Sequence, residues 1–194
     1  ETFFNLSINE QYSQISYFEN DALKYEQHFN FGSNIVINDI SKITSLSKNT
    51  VKEILLNLNR TPSDQDLIEK ELFKGESYRK IKKTLFLKIA AARIQELSEI
   101  MIFKNINFTE YNKKGLTIFL KINDNLNIES LNNIYKSFFS NDNQLIVRFL
   151  ESIEDEHLMN NANKLVNFGW KKEAVPVIHS KKSIIARFFD LIFG

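Results

Sequence analysis

Apolar and polar residues alternate along the first part of the chain. This alternation predicts strands over Phe3–Ile8 and Gln14–Phe18, and a third strand over Ala22–Phe31. Asn20 and Asp21, two residue types that favour turns, separate the second predicted strand from the third. Strands that follow one another through short connections predict an antiparallel meander.

After Gly32–Asn34 the apolar residues recur at helical spacing. This spacing predicts helices over Ile35–Lys42 and Lys48–Leu58, with Ser47 as the N-cap of the second. Farther along, Ser77–Lys104 is predicted to form one long helix, because apolar residues recur at Ile81, Leu85, Ile89, Ala92, Leu97 and Ile100. The middle of the chain is therefore expected to be helical.

Predicted strands and helices alternate in the second half. Strand Leu116–Leu120 is followed by helix Ile128–Phe139, strand Gln144–Leu150 and helix Asp155–Phe168. A meander followed by this alternation is typical of an α/β protein in which helices pack on a mixed sheet.

The composition excludes several kinds of function. Lys and Arg nearly balance Asp and Glu, and the formal net charge is +1, so no basic face for nucleic acid is expected. The chain has no cysteine, which removes disulfides, thiol chemistry and zinc thiolate sites. His28, His157 and His179 are far apart, so no metal site is predicted. Because the chain begins at Glu1, already at the first predicted strand and without Met, we expect a longer native protein.

Ser183–Gly194 has the pattern of an amphipathic helix after a predicted linker, Lys171–Lys182. At a helical turn of about 100° per residue, Ser183, Arg187 and Asp190 share one narrow polar stripe. The residues expected to bind a membrane surface are Lys181, Lys182, Ile184, Ile185, Arg187, Phe188, Phe189, Leu191, Ile192 and Phe193. The alternative is a last helix packed on the domain core.

Gly32–Ser41, with the sequence GSNIVINDIS, resembles the G-G-N-x-[IV]-T-x-D-[IL]-A segment of FtsA, the bacterial cell-division family of the actin superfamily. Ile89–Leu97 is similar to that family's I-I-E-x-R-x-x-E-[IL], and Asn161–Val166 to its A-T-A-x-G-L-[LI]. The resemblance covers the whole chain and corresponds to the second half of FtsA. It implies an actin-like (ribonuclease-H-like) α/β fold: a mixed sheet with flanking helices, a small helical insert and a C-terminal amphipathic helix.

The resemblance also implies a division into domains. Residues 1–58 and 105–170 correspond to the large subdomain of the second actin-like lobe, and 59–104 to an insert of the type that binds the FtsZ tail. Residues 171–182 correspond to a linker and 183–194 to the membrane-targeting helix. The first lobe is expected to lie outside this chain.

The nucleotide contacts implied by the resemblance have lost their residue types. In actin-like ATPases the first hairpin reads D-x-G-G-x-T, where glycine N–H groups approach the phosphates. The acid position falls on Ser7, the two glycine positions on Asn9 and Glu10, the variable position after them on Gln11, and the Thr on Tyr12. The family's E-x-[IL]-K contact falls on Lys52 and Leu55, and the glycines of its adenosine loop on Asn123 and Asp124. We therefore expect a degenerate site, no ATP or Mg²⁺ cofactor, and no enzymatic activity.

Arg93 stands where FtsA-like proteins carry an arginine that meets the acidic C-terminal tail of FtsZ. A guanidinium suits this role because it holds a carboxylate through two hydrogen bonds. Lys88 and Glu96, on the same predicted helix, complete the candidate partner site. A solvated charged face is the ordinary alternative for the lysines.

The resemblance implies a cell-division adaptor that tethers the FtsZ ring to the cytoplasmic face of the inner membrane at the division site. Its expected partners are the FtsZ tail, like subunits and membrane lipids, without nucleic acid. Two alternatives stay open: an active actin-like ATPase, and a pilus-assembly protein of the PilM type from the same superfamily. The terminal amphipathic pattern favours FtsA over the PilM type.

Overall fold

The computed structural model describes residues 1–20, 22–58, 66–109, 113–123, 129–141 and 144–150. Several predicted features lie outside these residues: Asp21, Asp124, the last predicted helix Asp155–Phe168 with the Asn161–Val166 segment, the linker and the terminal amphipathic segment. The described residues belong to one compact unit, Glu1–Glu151. None of the helices in this described part is both long and apolar enough to cross a membrane.

Five strands form one mixed sheet. They are β1 (Phe3–Asn9), β2 (Ser13–Glu19), β3 (Ala22–Phe29), β4 (Leu116–Asn123) and β5 (Leu145–Phe149), in the order β3-β2-β1-β4-β5. The pairs β1–β2 and β2–β3 are antiparallel, whereas β1–β4 and β4–β5 are parallel. The predicted meander and mixed sheet are therefore confirmed.

The alternation along β1 buries one face of the sheet. Phe4, Leu6 and Ile8 are fully buried, and they share one hydrophobic core with apolar residues of the helices. The helices are α1 (Asn34–Thr44), α2 (Lys48–Leu56), α3 (Lys83–Ser98) and α4 (Glu129–Ser140). α3 packs against both α1 and α4. The division of the chain into a body and an insert stays a prediction, with α3 contributing to the core next to the sheet.

A distant segment caps the junction between α1 and α2. Ser47 is the N-cap of α2, as predicted, and its hydroxyl accepts the Thr50 N–H at 3.2 Å. The Glu76 carboxylate accepts the Ser47 N–H at 3.1 Å, and Arg79 Nη1 donates to the Thr44 carbonyl at the end of α1 at 3.0 Å. Both charges match the helix dipoles. Hydrogen bonds from Thr50 and Ser47 hold the pKa of Glu76 below its ordinary value.

The predicted helix Ser77–Lys104 is wrong at its start. Residues 77–82 are not helical, because the backbone of this segment pairs with 66–68. The Ile68 N–H donates to the Ile81 carbonyl at 2.9 Å, and the Lys83 N–H donates to the Asp66 carbonyl at 2.9 Å. These hydrogen bonds are made outside a helix, so α3 begins at Lys83.

α3 carries apolar residues on two sides, and the apolar positions used to predict this helix come from both. The buried side carries Phe86, Ala90, Ile94 and Leu97, whereas Leu85 is 40% exposed. After α3 the chain continues as a π-helical turn, Glu99–Phe103, in which Ile100 is 43% exposed. Apolar spacing alone does not distinguish the side of a helix that meets the core from a second apolar side.

Candidate functional site

The β1–β2 turn is held against the start of α1. The Ser33 N–H donates to the Asn9 carbonyl at 2.9 Å, and the Asn34 N–H donates to the Glu10 carbonyl at 3.0 Å. A Cβ atom on Gly32 would lie 2.0 Å from the Asn9 carbonyl oxygen, so only glycine permits this approach. The Asn9 N–H closes the turn itself by donating to the Tyr12 carbonyl at 2.9 Å. The segment that resembles FtsA therefore fixes the turn where a phosphate loop is expected.

The carboxyl ends of β1 and β4 bring three of the predicted nucleotide positions together. Asn9 and Asn123 are register partners in this parallel pair. The Asn123 side-chain amide donates to Ser7 Oγ at 3.1 Å and to Asn9 Oδ1 at 3.0 Å. Ligands of α/β proteins commonly bind at the carboxyl ends of parallel strands. In this chain, side chains hydrogen-bonded to one another occupy that edge.

Glu10 and Gln11 line a shallow cavity of about 310 Å³ between the turn and α1. The other lining residues are Asn30, Phe31, Gly32, Asn34, Ile35 and Asn38. Sequence reasoning missed the three asparagines, although the spacing of Asn34 and Asn38 places both on one side of a helix. The cavity offers amide groups and one carboxylate, and a carboxylate repels a phosphate at close range.

Lys52 and Leu55, the two positions that the resemblance aligns with the nucleoside contact, lie on α2. Leu55 is fully buried and belongs to the hydrophobic core, while Lys52 is half-buried. A leucine in the core has no polar group with which to hold a nucleoside. The structure thus gives Leu55 a packing role.

Arg93 joins α3 to α1. Its Nε donates to the Asp39 carboxylate, and its Nη1 donates to Glu96 Oε2 at 2.6 Å. Lys88, Arg93 and Glu96 line one groove of about 340 Å³ together with Asp39, Ile43, Ile89 and Ala92. The candidate partner residues therefore lie together, and the two basic residues are balanced by two acidic ones; their role in binding a partner stays a prediction. An acidic ligand at Arg93 must compete with both of these carboxylates.

Sequence reasoning did not include Asp39 in the partner site. Asp39 stands in the Gly32–Ser41 segment, but its distance along the chain from Arg93 hides the contact. The predicted membrane residues from Lys181 to Phe193 and the nucleotide position Asp124 lie outside the described residues. Within the part of the chain that the structure describes, no group of acidic, histidine or cysteine side chains is arranged to hold a metal ion.

No family model and no curated protein matches this chain. Many solved structures resemble it, and they include the following two. The ethanolamine utilization protein EutJ from Carboxydothermus hydrogenoformans has a TM-score of 0.50 and 8% identity, over 75% of this chain and 44% of EutJ. MreB 5 of Spiroplasma citri, bound to AMPPNP, has a TM-score of 0.55 and 10% identity, over 90% of this chain and 55% of MreB 5.

These neighbours are proteins of the actin-like ATPase fold, so the chain has an actin-like fold, as the sequence predicted. The chain spans about half the length of the structures that it resembles. At this level of identity the likeness shows the fold and no activity.

Proposed function

We propose that the chain is the second lobe of an actin-like adaptor of the FtsA type, which tethers FtsZ filaments to a membrane without using ATP. In this proposal the groove at Arg93 receives the acidic FtsZ tail, and the terminal amphipathic segment binds the cytoplasmic membrane face. Such a short segment binds weakly alone, so several copies on one filament are needed for durable attachment.

The observation that carries the proposal is the occupied edge at the β1–β2 turn. Asn123 is hydrogen-bonded to Ser7 and Asn9 at the ends of β1 and β4, where actin-like ATPases present glycine. Glu10 adds a carboxylate to the same turn. This arrangement replaces bare backbone N–H groups by side chains, and it favours an adaptor over the active ATPase.

We expect the complete protein, with both lobes present, to show no measurable heat of binding when it is titrated calorimetrically with ATP and Mg²⁺. The physical reason is the loss of glycine N–H donors and the repulsion between Glu10 and a phosphate. MreB 5 of Spiroplasma citri, whose structure contains AMPPNP, serves as the positive control in the same buffer. A micromolar dissociation constant for ATP would contradict the proposal and support the active ATPase.

We expect Phe188→Glu to abolish co-sedimentation of the complete protein with liposomes that contain anionic lipid. The change places a charge in the middle of the apolar side of the terminal segment, where burial in the acyl boundary disfavours it. Ser183→Glu adds the same charge to the polar stripe and is the matched control. Equal co-sedimentation of Phe188→Glu and wild type would rule out the membrane tether and reopen the PilM-type alternative.

We expect Glu96→Gln to tighten binding of an FtsZ C-terminal tail peptide by about twofold to fivefold, because Arg93 loses one competing carboxylate. Arg93→Ala is expected to weaken the same binding by at least about tenfold. Lys48→Ala, on the exposed side of α2, is the control for general loss of positive charge. Fluorescence polarisation of the labelled peptide measures the affinity of wild type and of the three variants. Unchanged affinity in Arg93→Ala would show that the tail binds elsewhere.

A further inference from the structure

α3 has a second apolar stripe, next to its core side. Leu85, Ile89 and Ala92 follow one another at helical spacing along this stripe, and Ile43 of α1 lies beside it. Leu85 is 40% exposed and Ile43 is 61% exposed. A helix that is apolar on two sides ordinarily buries both of them. Ile89 is partly buried against the core, whereas Leu85 and Ala92 are exposed in the described part of the chain, so the second stripe has the composition of an interface.

The charges along this stripe are symmetric about Ala92. Lys88 lies one turn before Ala92 and Glu96 lies one turn after it, on the same side of α3. Lys88 forms no ion pair with any described residue, and the Glu96 side chain is 52% exposed despite its bond to Arg93. A basic residue and an acidic residue at equal distances from a small residue make the stripe complementary to itself in the antiparallel direction.

We propose that two copies of this chain associate through antiparallel α3 helices that cross at Ala92. A two-fold axis at Ala92 brings Lys88 of each copy opposite Glu96 of the other copy, so that both ion pairs form at once. The small side chain at the crossing point allows the helix axes to approach within about 8 Å. Ile89 and Ile43 then enclose the crossing point with apolar surface. A parallel arrangement instead places Lys88 beside Lys88.

The pairing specifies the association with like subunits that the resemblance implies, and it rests on the proposed function to that extent. It also uses Lys88 and Glu96, two residues of the groove proposed for the FtsZ tail. A second copy and the tail are therefore alternative occupants of one surface. Sedimentation without peptide tests the pairing alone, and peptide binding at protein concentrations below the onset of association tests the tail site alone.

Charge reversal on the full chain tests the pairing by sedimentation velocity. For wild type, the fraction of the chain in the dimer is expected to rise with protein concentration. Lys88→Glu and Glu96→Lys, each alone, place like charges opposite one another, and we expect the dissociation constant to rise at least about tenfold. An equimolar mixture of the two single variants restores both opposite-charge pairs and is expected to form a heterodimer. Circular dichroism checks that both variants remain folded.

Cross-linking gives a second readout that does not depend on charge. The chain contains no cysteine, so Ala92→Cys introduces the only thiol. At the two-fold axis the two introduced thiols lie close enough for a disulfide, and rapid cross-linking under mild oxidation is expected. Ile106→Cys, whose site is 81% exposed and lies beyond the end of α3, is the control for random collision.

Three results would overturn the pairing. The first is a wild-type chain that stays monomeric at the highest soluble concentration. The second is a mixture of Lys88→Glu and Glu96→Lys that does not associate, while wild type does. The third is cross-linking of Ala92→Cys no faster than that of Ile106→Cys. Binding of the tail peptide to a chain that stays monomeric would assign the stripe to the tail and leave the proposed function intact.

Discussion

Replacing Phe108 with alanine is expected to lower the free energy of unfolding by about 3–5 kcal/mol, as for other fully buried aromatic residues. Phe108 lies in a short 3₁₀ turn, Ile106–Phe108, and is completely buried. Its ring contacts those of Phe4 and Tyr25 edge-on, with centroids 5.2 Å apart in both pairs. The truncation leaves a cavity under the sheet that rigid neighbours cannot refill.

This loss is large because whole domains are stable by only about 5–15 kcal/mol. Urea unfolding followed by circular dichroism measures it, with the unfolding slope as a check on two-state behaviour. Ile106→Ala is the matched control: it lies in the same turn, but Ile106 is 81% exposed. We expect Ile106→Ala to change stability by no more than about 0.5 kcal/mol. Equal losses in both variants would mean that the turn does not bury Phe108 in the core.

Replacing Gly32 with alanine is expected to destabilise the chain by about 3 kcal/mol, the upper part of the range for overpacked sites. The added Cβ would lie 2.0 Å from the Asn9 carbonyl oxygen and 2.8 Å from the Glu10 carbonyl oxygen. Both are backbone atoms, so relief requires the β1–β2 turn to move away from α1. The hydrogen bonds from the Ser33 and Asn34 N–H groups to this turn are then weakened.

Gly115→Ala is the matched control for Gly32→Ala. Gly115 has a positive φ of 78°, but nothing lies within 4 Å of an added Cβ. Its replacement therefore costs only the left-handed backbone strain of about 1–2 kcal/mol. Thermal unfolding of both variants separates this strain from the clash at Gly32. A smaller loss for Gly32→Ala than for Gly115→Ala would show that the turn and α1 are not in close contact.

Local chemistry was sufficient to predict most of the elements. Alternation along β1 and β2 and the turn residues between strands identified the meander, and the Ser47 cap located the start of α2. The start of α3 could not be predicted in this way. The residues expected to form its first turns instead pair with residues 66–68, which lie more than ten positions earlier in the chain. Helical spacing gives no information about such a competing backbone partner.

In the candidate site too, the sequence predicted some features and only the fold revealed others. Sequence reasoning named Ser7, Asn9 and Asn123 because their residue types differ from those of actin-like ATPases. It did not predict that Asn123 would hydrogen-bond to both of the others, since β1 and β4 become neighbours only in the sheet. Likewise, Arg93 was named for a partner, and the fold alone revealed its bond to Asp39.

The sequence by itself determined the strand and helix types, the α/β class and the loss of glycine from the expected phosphate loop. These features depend on residue types and spacings within a few positions of one another. Only the tertiary structure decided which side of α3 meets the core, where that helix begins, and which carboxylates hold Arg93. Those outcomes depend on contacts between α1, α3 and the sheet, which become neighbours only when the chain folds.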